Sequence, residues 1–578
     1  MTLDRRAGHT SVPRIRRQDF GVLTPPRLGD GEPTLTVTVV IPAHDRQETL
    51  DLTLAALSAQ SYPADLTDIV VVDDGSTPPL RLPELVPPRT RLIPARPGGW
   101  GRAWAVQTGL DAATGDVVLV LDADMVPHRE HVEAQLRWHH LAPYLVVLGW
   151  IDFTPAERLP TPEQVRASVR AGTEESLFPL SPHRHDWAEQ IIHEHDGLRT
   201  APSSLATRIH VGATASYPAA LLRSIGGLDT SLVLAEDTEL GYRLTQAGAV
   251  FVPDPEARAW HLGLPTAMRD FATLKRHNDP YVADRVPYRR HLRTDPGRQW
   301  LVPYVDAYVP AGAYEDVRAT VDALLASSLP DIRVTITGPW ASLGSGRRSP
   351  LRDADLDLRL VHATFEHDPR VRLAGESAWP GAEPAAGAAL DVMPPFRLLI
   401  PPGWVPARDS VERLVGHLEA HDSGAVCLAL DETGEGVLVA RLERVSALAR
   451  AALVAEPGER LDDVLDEVFG LEWLDGASWD VTRRPLVYPP RRRPVPEAER
   501  LAVRREKELA QLRDRTAALR AELARLRKEV GKRERDAARW RDKAETWRRE
   551  AVRLSRTQDR TVLRKAVRRI RSLAFPDA

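Results

Sequence analysis

Short runs of β-branched and aliphatic residues alternate with helix-periodic segments along the first part of the chain. Residues 35–41 predict a buried strand that Pro42 ends, and residues 46–60 then follow a helical period. A second strand is predicted over 68–72, a helix over 101–115 and a third strand over 116–121. Strands and helices alternating at this spacing predict βαβ units and a mainly parallel sheet.

Acidic pairs directly follow two of these strands. Asp73 and Asp74 end the second strand, and Asp122 and Asp124 end the third, in "LVLDADMVP". A D-x-D sequence alone is typical of an ordinary turn. Ligands of parallel sheets, however, bind at the carboxyl ends of the strands. Carboxylates gathered there repel one another unless a cation lies between them, and oxygen ligands suit Mg²⁺ or Mn²⁺, which would also hold a diphosphate.

The segment 210–263 adds a third acidic pair and a histidine. Glu236 and Asp237 lie at the entry to a predicted helix, and His261 follows a predicted strand. The ordered motifs are "VTVVIPAHDRQETL", "IVVVDDGS", "GRAWAVQTGL", "VLVLDADMVP" and "GGLDTSLVLAEDTELGYRL", followed by the late histidine. Together they resemble the motifs of a family 2 glycosyltransferase with a GT-A fold, over roughly residues 35–290.

The resemblance implies a nucleotide-sugar donor site at these strand ends. Asp73 would bind the nucleobase, and Asp124 with Asp122 would hold the metal that bridges the donor diphosphate. Arg102 would face the diphosphate, although a solvated helix residue is the alternative. The nucleotide-binding residues implied in this way are Pro42, Ala43, Asp45, Asp73, Asp74, Arg102 and Asp122.

The resemblance also implies the chemistry. Asp237, next to Glu236, would be the general base that deprotonates the acceptor hydroxyl in a single inverting displacement, so an α-linked UDP-sugar would give a β-glycoside. His261 is similar to a metal-ligand histidine of some family members, and imidazole suits Mn²⁺ better than Mg²⁺. A structural histidine is the alternative reading of His261.

The chain departs from the family pattern at several positions. His44-Asp45 replaces the usual Tyr-Asn, Gln107 replaces an Asn, and the Q-x-x-R-W signature of processive synthases is absent. We therefore expect a distributive enzyme. Residues 151–205 are rich in Pro, His and charge, which predicts a mobile acceptor loop; a zinc site there is a weaker alternative, because no i, i+4 His pair is formed.

Residues 301–490 repeat the pattern of the first domain without its carboxylates. Pro310 matches Pro42 and Pro406 matches Pro127, while Asp122 and Asp124 fall on Pro401 and Gly403. In the match that includes Pro310, Asp73 and Asp74 fall on Ile336 and Thr337. We infer a degenerate second GT-A-like domain over 296–490; an unrelated α/β domain is the alternative.

Composition limits the remaining possibilities. The chain has 578 residues and a single cysteine, Cys427, which excludes an internal disulfide framework and favours a reducing compartment. No apolar run reaches the roughly 20 residues that span a bilayer. Residues 1–34 have charges and prolines where a signal peptide needs an apolar stretch, so we expect a flexible N-terminal arm on a cytoplasmic protein.

Residues 501–578 carry 25 Lys and Arg against 12 Asp and Glu, so this segment has a net charge of +13 and the rest of the chain −17. Apolar heptad positions predict a coiled coil over 497–560, and therefore a homo-oligomer; a single solvated helix is the alternative. Those positions are Leu512, Leu519, Leu526, Trp540, Trp547 and Leu554, with Leu509, Leu523, Val530, Ala537, Ala544 and Ala551. The basic amphipathic tail 561–578 suits an anionic membrane surface at the inner face better than nucleic acid.

The sequence thus predicts an α/β chain with a catalytic GT-A Rossmann-like domain over 35–295, a smaller GT-A-like domain and a helical coiled coil. The function expected is an inverting, metal-dependent transfer of a sugar from a nucleotide donor, UDP by preference, to a glycan or lipid-linked acceptor. A sugar nucleotidyltransferase is one alternative, but "IPAHDRQET" lacks the glycine-rich phosphate loop that it requires. A non-catalytic coiled-coil scaffold is another.

Overall fold

A computed structural model describes most of the chain. The described residues are 11–181, 185–264, 270–295, 297–344, 346, 349–380, 393–434, 436–483 and parts of 515–549. They divide into a compact unit that extends to Leu486 and a second unit from Val487 onward.

The first half of the compact unit is built on an eight-stranded sheet. Its strands are β1 (Val37–Ala43), β2 (Thr67–Asp73), β3 (Thr90–Pro94), β4 (Val117–Leu121), β5 (Met125–Pro127), β6 (Leu145–Thr154), β7 (Thr214–Pro218) and β8 (Val250–Leu262). Its helices are α1 (Gln47–Leu57), α2 (Arg102–Ala112), α3 (His131–His139), α4 (Pro162–Ala171), α5 (Asp186–Glu194), α6 (Ser203–Ala206), α7 (Ala219–Ser224), α8 (Glu236–Gln246) and α9 (Phe271–Arg285).

The strand order is β3-β2-β1-β4-β7-β6-β8-β5. Neighbours from β3 to β4 run parallel, β7 is antiparallel to both of its neighbours, and β5 is antiparallel to β8. The aliphatic runs of β1, β2 and β4 are buried, as expected of central parallel strands covered on both faces. Their carboxyl ends therefore meet at one edge, as the sequence predicts.

Pro42 does not end the first strand, because β1 continues to Ala43. Beyond Val40 the strand pairs only with β2, so the missing N–H of Pro42 costs no ladder hydrogen bond to β4. The segment predicted as a mobile loop, 151–205, instead contains the end of β6 and helices α4, α5 and α6 among its described residues.

The predicted flexible arm is wrong for residues 11–34. Ile15 is fully buried and Phe20 packs edge-on against Trp138 at 5.8 Å. The Arg17 amide donates to the Val468 carbonyl at 2.8 Å. This segment therefore packs between both halves of the compact unit, because its apolar residues have a core to enter; residues 1–10 lie outside the described residues.

The second half of the compact unit is a smaller sheet domain. Its strands are β9 (Val305–Pro310), β10 (Ile332–Thr337), β11 (Val371–Ala374), β12 (Phe396–Leu399), β13 (Trp404–Pro406), β14 (Ala425–Thr433), β15 (Gly436–Arg444), β16 (Leu471–Asp475) and β17 (Val481–Arg483). Its helices are α10 (Tyr314–Leu325), α11 (Leu356–Phe365), α12 (Ser410–His421), α13 (Val445–Val454) and α14 (Leu461–Val468).

The two sheets share one topology. The second has the order β11-β10-β9-β12-β15-β14-β16, which repeats β3-β2-β1-β4-β7-β6-β8 strand for strand with the same directions. The short β13 pairs antiparallel with β17, as β5 does with the end of β8. This agreement supports a duplicated GT-A-like domain.

The strand pairing in the structure corrects one part of the sequence match between the two domains by two residues. Pro42 pairs with Val72, and Pro310 pairs with Thr337, so Asp73 and Asp74 correspond to Gly338 and Pro339 rather than to Ile336 and Thr337. The sequence match shortens the interval between these strands by five residues, whereas the strand pairing shows that it is shorter by three. Neither alignment places a carboxylate at these positions.

Arg450 of α13 joins the two sheet domains. Its guanidinium is buried and donates to the carbonyls of Gly248 and Ala249 in the first domain, and of Ile15 and Arg17 in the N-terminal segment. Burial lowers the pKa of Arg450 to about 10. Its ring of carbonyl acceptors replaces the water that a buried cation loses.

The second unit is helical where it is described between 515 and 549. Leu519, Leu523, Leu526 and Val530 of the predicted heptads are about half-exposed. The coiled coil and the homo-oligomer remain predictions, and the basic segment 561–578 lies outside the described residues. No helix among the described residues is both long and apolar enough to cross a membrane.

The buried histidine of α3 predicts a pH-dependent stability. His131 bonds the Arg258 carbonyl and the Thr214 hydroxyl, both at 2.9 Å, and burial lowers its pKa to about 4. An unfolded histidine titrates near 6.5, so the unfolded state binds more protons between these values and stability falls as pH falls. His131→Gln should reduce the loss of unfolding free energy between pH 7 and 4.5 by about 2–3 kcal/mol.

Urea unfolding at the two pH values measures this difference. His193→Gln, a change at an exposed position in the same domain, is the control and should leave the pH dependence as in the unmodified chain. An unchanged pH dependence in His131→Gln would contradict the prediction.

Candidate active site at the carboxyl ends of the first sheet

The turn that carries Asp122 and Asp124 is held by its backbone. It connects β4 to β5, and the Asp122 amide donates to the Ala213 carbonyl at 2.9 Å. The Leu262 amide donates to the Asp124 carbonyl at 2.9 Å, and the Thr53 hydroxyl donates to the Ala123 carbonyl at 3.0 Å. The main chain is thus fixed without using either carboxylate.

Arg102 lies at the centre of the acidic residues. Its Nε donates to Asp122 Oδ1 at 2.9 Å, its Nη1 to Glu236 Oε1 at 3.0 Å, and its Nη2 to the Gly212 carbonyl. A Cβ on residue 212 would lie 2.7 Å from Arg102 Nη1, so any side chain there would force the guanidinium to move from this position. Arg102 is therefore a structural counter-ion of the site, not a solvated helix residue.

The positive charge of Arg102 alone does not neutralise the negative charge of this cluster. Burial raises the pKa of Asp122, as does the charge of Asp124, while Arg102 lowers it. Burial also raises the pKa of Glu236 against the effect of Arg102, and the charge of Asp237 raises it further. Arg102 bonds two carboxylates, Asp122 and Glu236, while Asp124 and Asp237 add negative charge beside them, so a further cation at this site would be favoured.

Asp124 and His261 are placed to provide ligands for such a cation. His261 Nε2 lies 3.8 Å from Asp124 Oδ1, and its Nδ1 bonds the Gly263 carbonyl at 3.0 Å. With Nδ1 donating the proton, Nε2 carries the lone pair that a metal needs, and the carbonyl fixes the ring. An imidazole and a carboxylate facing each other suit Mn²⁺.

Asp122 is turned toward Arg102, so it does not form a compact trio with Asp124 and His261. Within the described parts of the chain, the one group of three metal-capable side chains with ligand atoms within 4.8 Å of one another is His417, His421 and Glu472, in the second sheet domain. A 2.8 Å contact between His417 Nε2 and Glu472 Oε2 brings two of its members together.

The carboxylates after β2 shape the loop that follows them. Asp73 accepts the amides of Ser76 at 2.8 Å and Leu80 at 3.0 Å. Partial burial raises the pKa of Asp73, but these hydrogen bonds outweigh it and hold the pKa below its usual value. Asp74 accepts the Gly101 amide at 2.7 Å, next to Arg102, and burial raises its pKa. The base-binding role of Asp73 remains a prediction.

The end of β1 lies against the same loop. The Ala43 carbonyl, next to Pro42, accepts the Asp74 amide at 2.9 Å. Asp45 has φ +51 and accepts the Thr77 amide at 2.8 Å. The predicted nucleotide-binding residues of β1 and β2 are therefore adjacent in the fold.

The Glu236-Asp237 pair begins α8 after a left-handed residue, Ala235, with φ +65. Glu236 is buried against Arg102, whereas Asp237 is partly exposed and its Oδ1 accepts the Thr238 amide at 2.6 Å. The Asp237 carbonyl is bound by His210 Nδ1 at 2.7 Å. This arrangement leaves Asp237 the more accessible carboxylate of the pair.

Two histidines at the site were not predicted as site residues. His210 bridges the Asp237 carbonyl and the Tyr217 hydroxyl, the latter at 2.8 Å. His185 packs on Phe153, which also contacts His261, with ring centroids 5.0 and 5.3 Å apart. For His210, the only signal in the sequence was its position ahead of the acidic pair. No sequence pattern indicated that His185 would lie near His261.

A family model for "Glycosyl transferase family 2" matches residues 38–202. Chondroitin synthase from Escherichia coli is 24% identical over 361 residues, covering 58% of this chain and 49% of that protein. Pre-mycofactocin glycosyltransferase from Mycobacterium tuberculosis is 27% identical over 254 residues, covering 43% and 47%. The chain thus spans about half the length of these curated relatives.

Among solved structures, a mannosyltransferase from Pyrobaculum calidifontis in complex with GDP-Man and Mn²⁺ aligns with a TM-score of 0.30 and 20% identity, covering 45% of this chain and 65% of that one. The family match spans β1 to β6 and the turn with Asp122 and Asp124. From the ordered motifs, the parallel-rich sheet and this match, we conclude that the chain contains a glycosyl transferase family 2 domain with a GT-A fold.

Proposed function

We propose that this chain is an inverting, metal-dependent glycosyltransferase that moves a sugar from a nucleotide donor to a glycan or lipid-linked acceptor in polysaccharide or glycoconjugate synthesis. The observation that carries the proposal is the unbalanced acidic cluster: the single cation Arg102 bonds Asp122 and Glu236, and Asp124 and Asp237 add further negative charge beside them. The names of the relatives, which include chondroitin synthases, support glycan synthesis.

Asp124 and His261, with Asp122 nearby, are the residues that would hold Mn²⁺ or Mg²⁺. When bound, the ion would neutralise the charge that develops on the departing nucleoside diphosphate. The positive charge of Arg102 would contribute to this neutralisation. Burial lowers the pKa of Arg102, but Asp122 and Glu236 raise it further than burial lowers it, so the guanidinium stays charged.

Asp237 is the proposed general base. The proton of the acceptor hydroxyl moves to its carboxylate as the oxygen bonds the anomeric carbon and the bond to the diphosphate breaks. The nucleoside diphosphate leaves with the electron pair, and attack opposite to it inverts the anomeric centre. His210 fixes the backbone of Asp237, which keeps this carboxylate at the edge of the site.

The nucleotidyltransferase alternative is less well supported. The turn after β1, residues 44–46, is short and contains no glycine, whereas a phosphate loop needs several free backbone amides. A scaffold without catalysis gives no reason for buried carboxylates with raised pKa values to be gathered at one edge.

Asp124→Asn should abolish metal-dependent turnover. The asparagine is neutral and a weaker metal ligand, and loss of several kcal/mol of charge stabilisation lowers the rate ~100-fold or more. Release of nucleoside diphosphate from a panel of UDP- and GDP-sugars, with Mn²⁺ present, measures it. Asp111→Asn, on a surface ion pair of the same domain, is the matched control. Full turnover in Asp124→Asn would exclude Asp124 as a ligand.

Asp237→Asn should separate chemistry from binding. The amide cannot take the acceptor proton, so turnover should fall by about 10²–10⁴-fold. Donor affinity should stay within about twofold, because the base does not hold the nucleotide. Single-turnover rates and donor titrations of the variant measure the two effects. Turnover close to that of the unmodified chain would show that another group is the base.

A further inference from the structure

A cavity of about 320 Å³ lies beside the proposed general base. Thr238, the residue after Asp237, lines it on one side, and the segment after α9 lines the other with Tyr288 and Arg289. The segment between α6 and His210 contributes Thr207 and Arg208. Because His210 of that segment binds the Asp237 carbonyl, the cavity and the proposed base are held together.

Two arginines of this cavity have no anionic partner. Among the described residues, neither Arg208 nor Arg289 forms an ion pair or donates a side-chain hydrogen bond. Arg208 is exposed and Arg289 is partly buried. Burial lowers the pKa of Arg289, the charge of Arg208 lowers it further, and Asp237 opposes both. None of the residues that line the cavity is acidic, in contrast to the acidic strand ends.

A third polar group in the cavity wall also lacks a partner. The Thr207 hydroxyl is buried, in a residue 5% exposed, and makes no hydrogen bond. Its oxygen has almost no accessible surface, so it is closed off from the cavity as well, and it does not itself indicate a ligand. The two guanidiniums are the donors in this cavity that suit an oxyanion, because the guanidinium fork matches carboxylate and phosphate oxygens.

We propose that this cavity binds a negatively charged group of the acceptor, a phosphate or a sugar carboxylate. The inference rests on the proposed transferase function, because it assigns the cavity to the acceptor by its position next to Asp237. The proposed donor site has its own cation, Arg102, at the strand ends. An acceptor held by its anion beside Asp237 would present a hydroxyl to that carboxylate.

Isothermal titration of the full chain, preloaded with Mn²⁺ and the nucleoside diphosphate that it binds, tests the proposal at fixed ionic strength. The probes are methyl glucuronide, glucose 6-phosphate and the neutral methyl glucoside. We expect at least one anionic probe to bind at least tenfold more tightly than the neutral one. The tighter of the two anionic probes identifies carboxylate or phosphate as the group recognised.

Arg208→Gln should remove most of this preference, about tenfold, and because Arg208 is exposed the variant should fold. Arg289→Gln is the second variant. Arg170→Gln, an exposed change of equal charge on α4, is the control and should keep the preference. In all three variants, the rise in melting temperature caused by Mn²⁺ and nucleoside diphosphate should be that of the unmodified chain.

Equal binding of all three probes, with the nucleotide shift intact, would overturn the anion site and leave the transferase proposal standing. Loss of the nucleotide shift in Arg208→Gln would also overturn it, because the cavity would then serve the donor diphosphate. Absence of any nucleotide shift in the unmodified chain would instead overturn the transferase proposal itself.

Discussion

Carboxylates gathered at one edge of a sheet repel one another, and the architecture of the first domain depends on how this repulsion is offset. Arg102 provides the only cation bonded to them among the described side chains, and it reaches both the turn after β4 and the start of α8. A side chain at Gly212 would displace the guanidinium, and the Gly212 carbonyl accepts its third hydrogen bond. One guanidinium therefore joins three separate chain segments, and its single charge leaves room for a divalent ion beside Asp124 and His261.

The second sheet domain shows what the same fold is like without this constraint. Its strand order repeats that of the first, and a cavity of about 440 Å³ lies at the equivalent strand ends, lined in part by Thr337, Gly338 and Trp379. Pro401 and Gly403 occupy the positions of Asp122 and Asp124, so nothing there requires a counter-ion. The same fold can therefore occur without the carboxylates, and the chemistry depends on a few side chains at the strand ends.

Much of the first domain could be predicted from sequence because buried parallel strands have continuous aliphatic runs. β1, β2, β4, α1 and α2 were all expected. β3, "TRLIP", was missed, because a short, partly exposed edge strand with a charged residue lacks that signal. The packed segment 11–34 was also missed, because its few apolar residues, such as Ile15 and Phe20, show no periodicity.

The acidic residues of the site were predictable, but their partners were not. Sequence order placed Asp122, Asp124, Glu236 and Asp237 at the ends of elements, and the resemblance gave them roles. That Arg102 bonds Glu236, or that Thr207 and Arg289 line one cavity, depends on proximity between residues about 80 or more positions apart. Local patterns carry no information on such pairs.

The most direct test of the central claim is the melting temperature of the full chain with UDP or GDP, with and without Mn²⁺. Ligand that binds only the native state stabilises it by mass action, by about 2.7 kcal/mol at one hundred times its Kd. We predict a rise that needs both Mn²⁺ and one of the two nucleotides, and that is lost in Asp124→Asn. No rise with either nucleotide, or a rise unaffected by that substitution, would contradict a metal-dependent donor site at these strand ends.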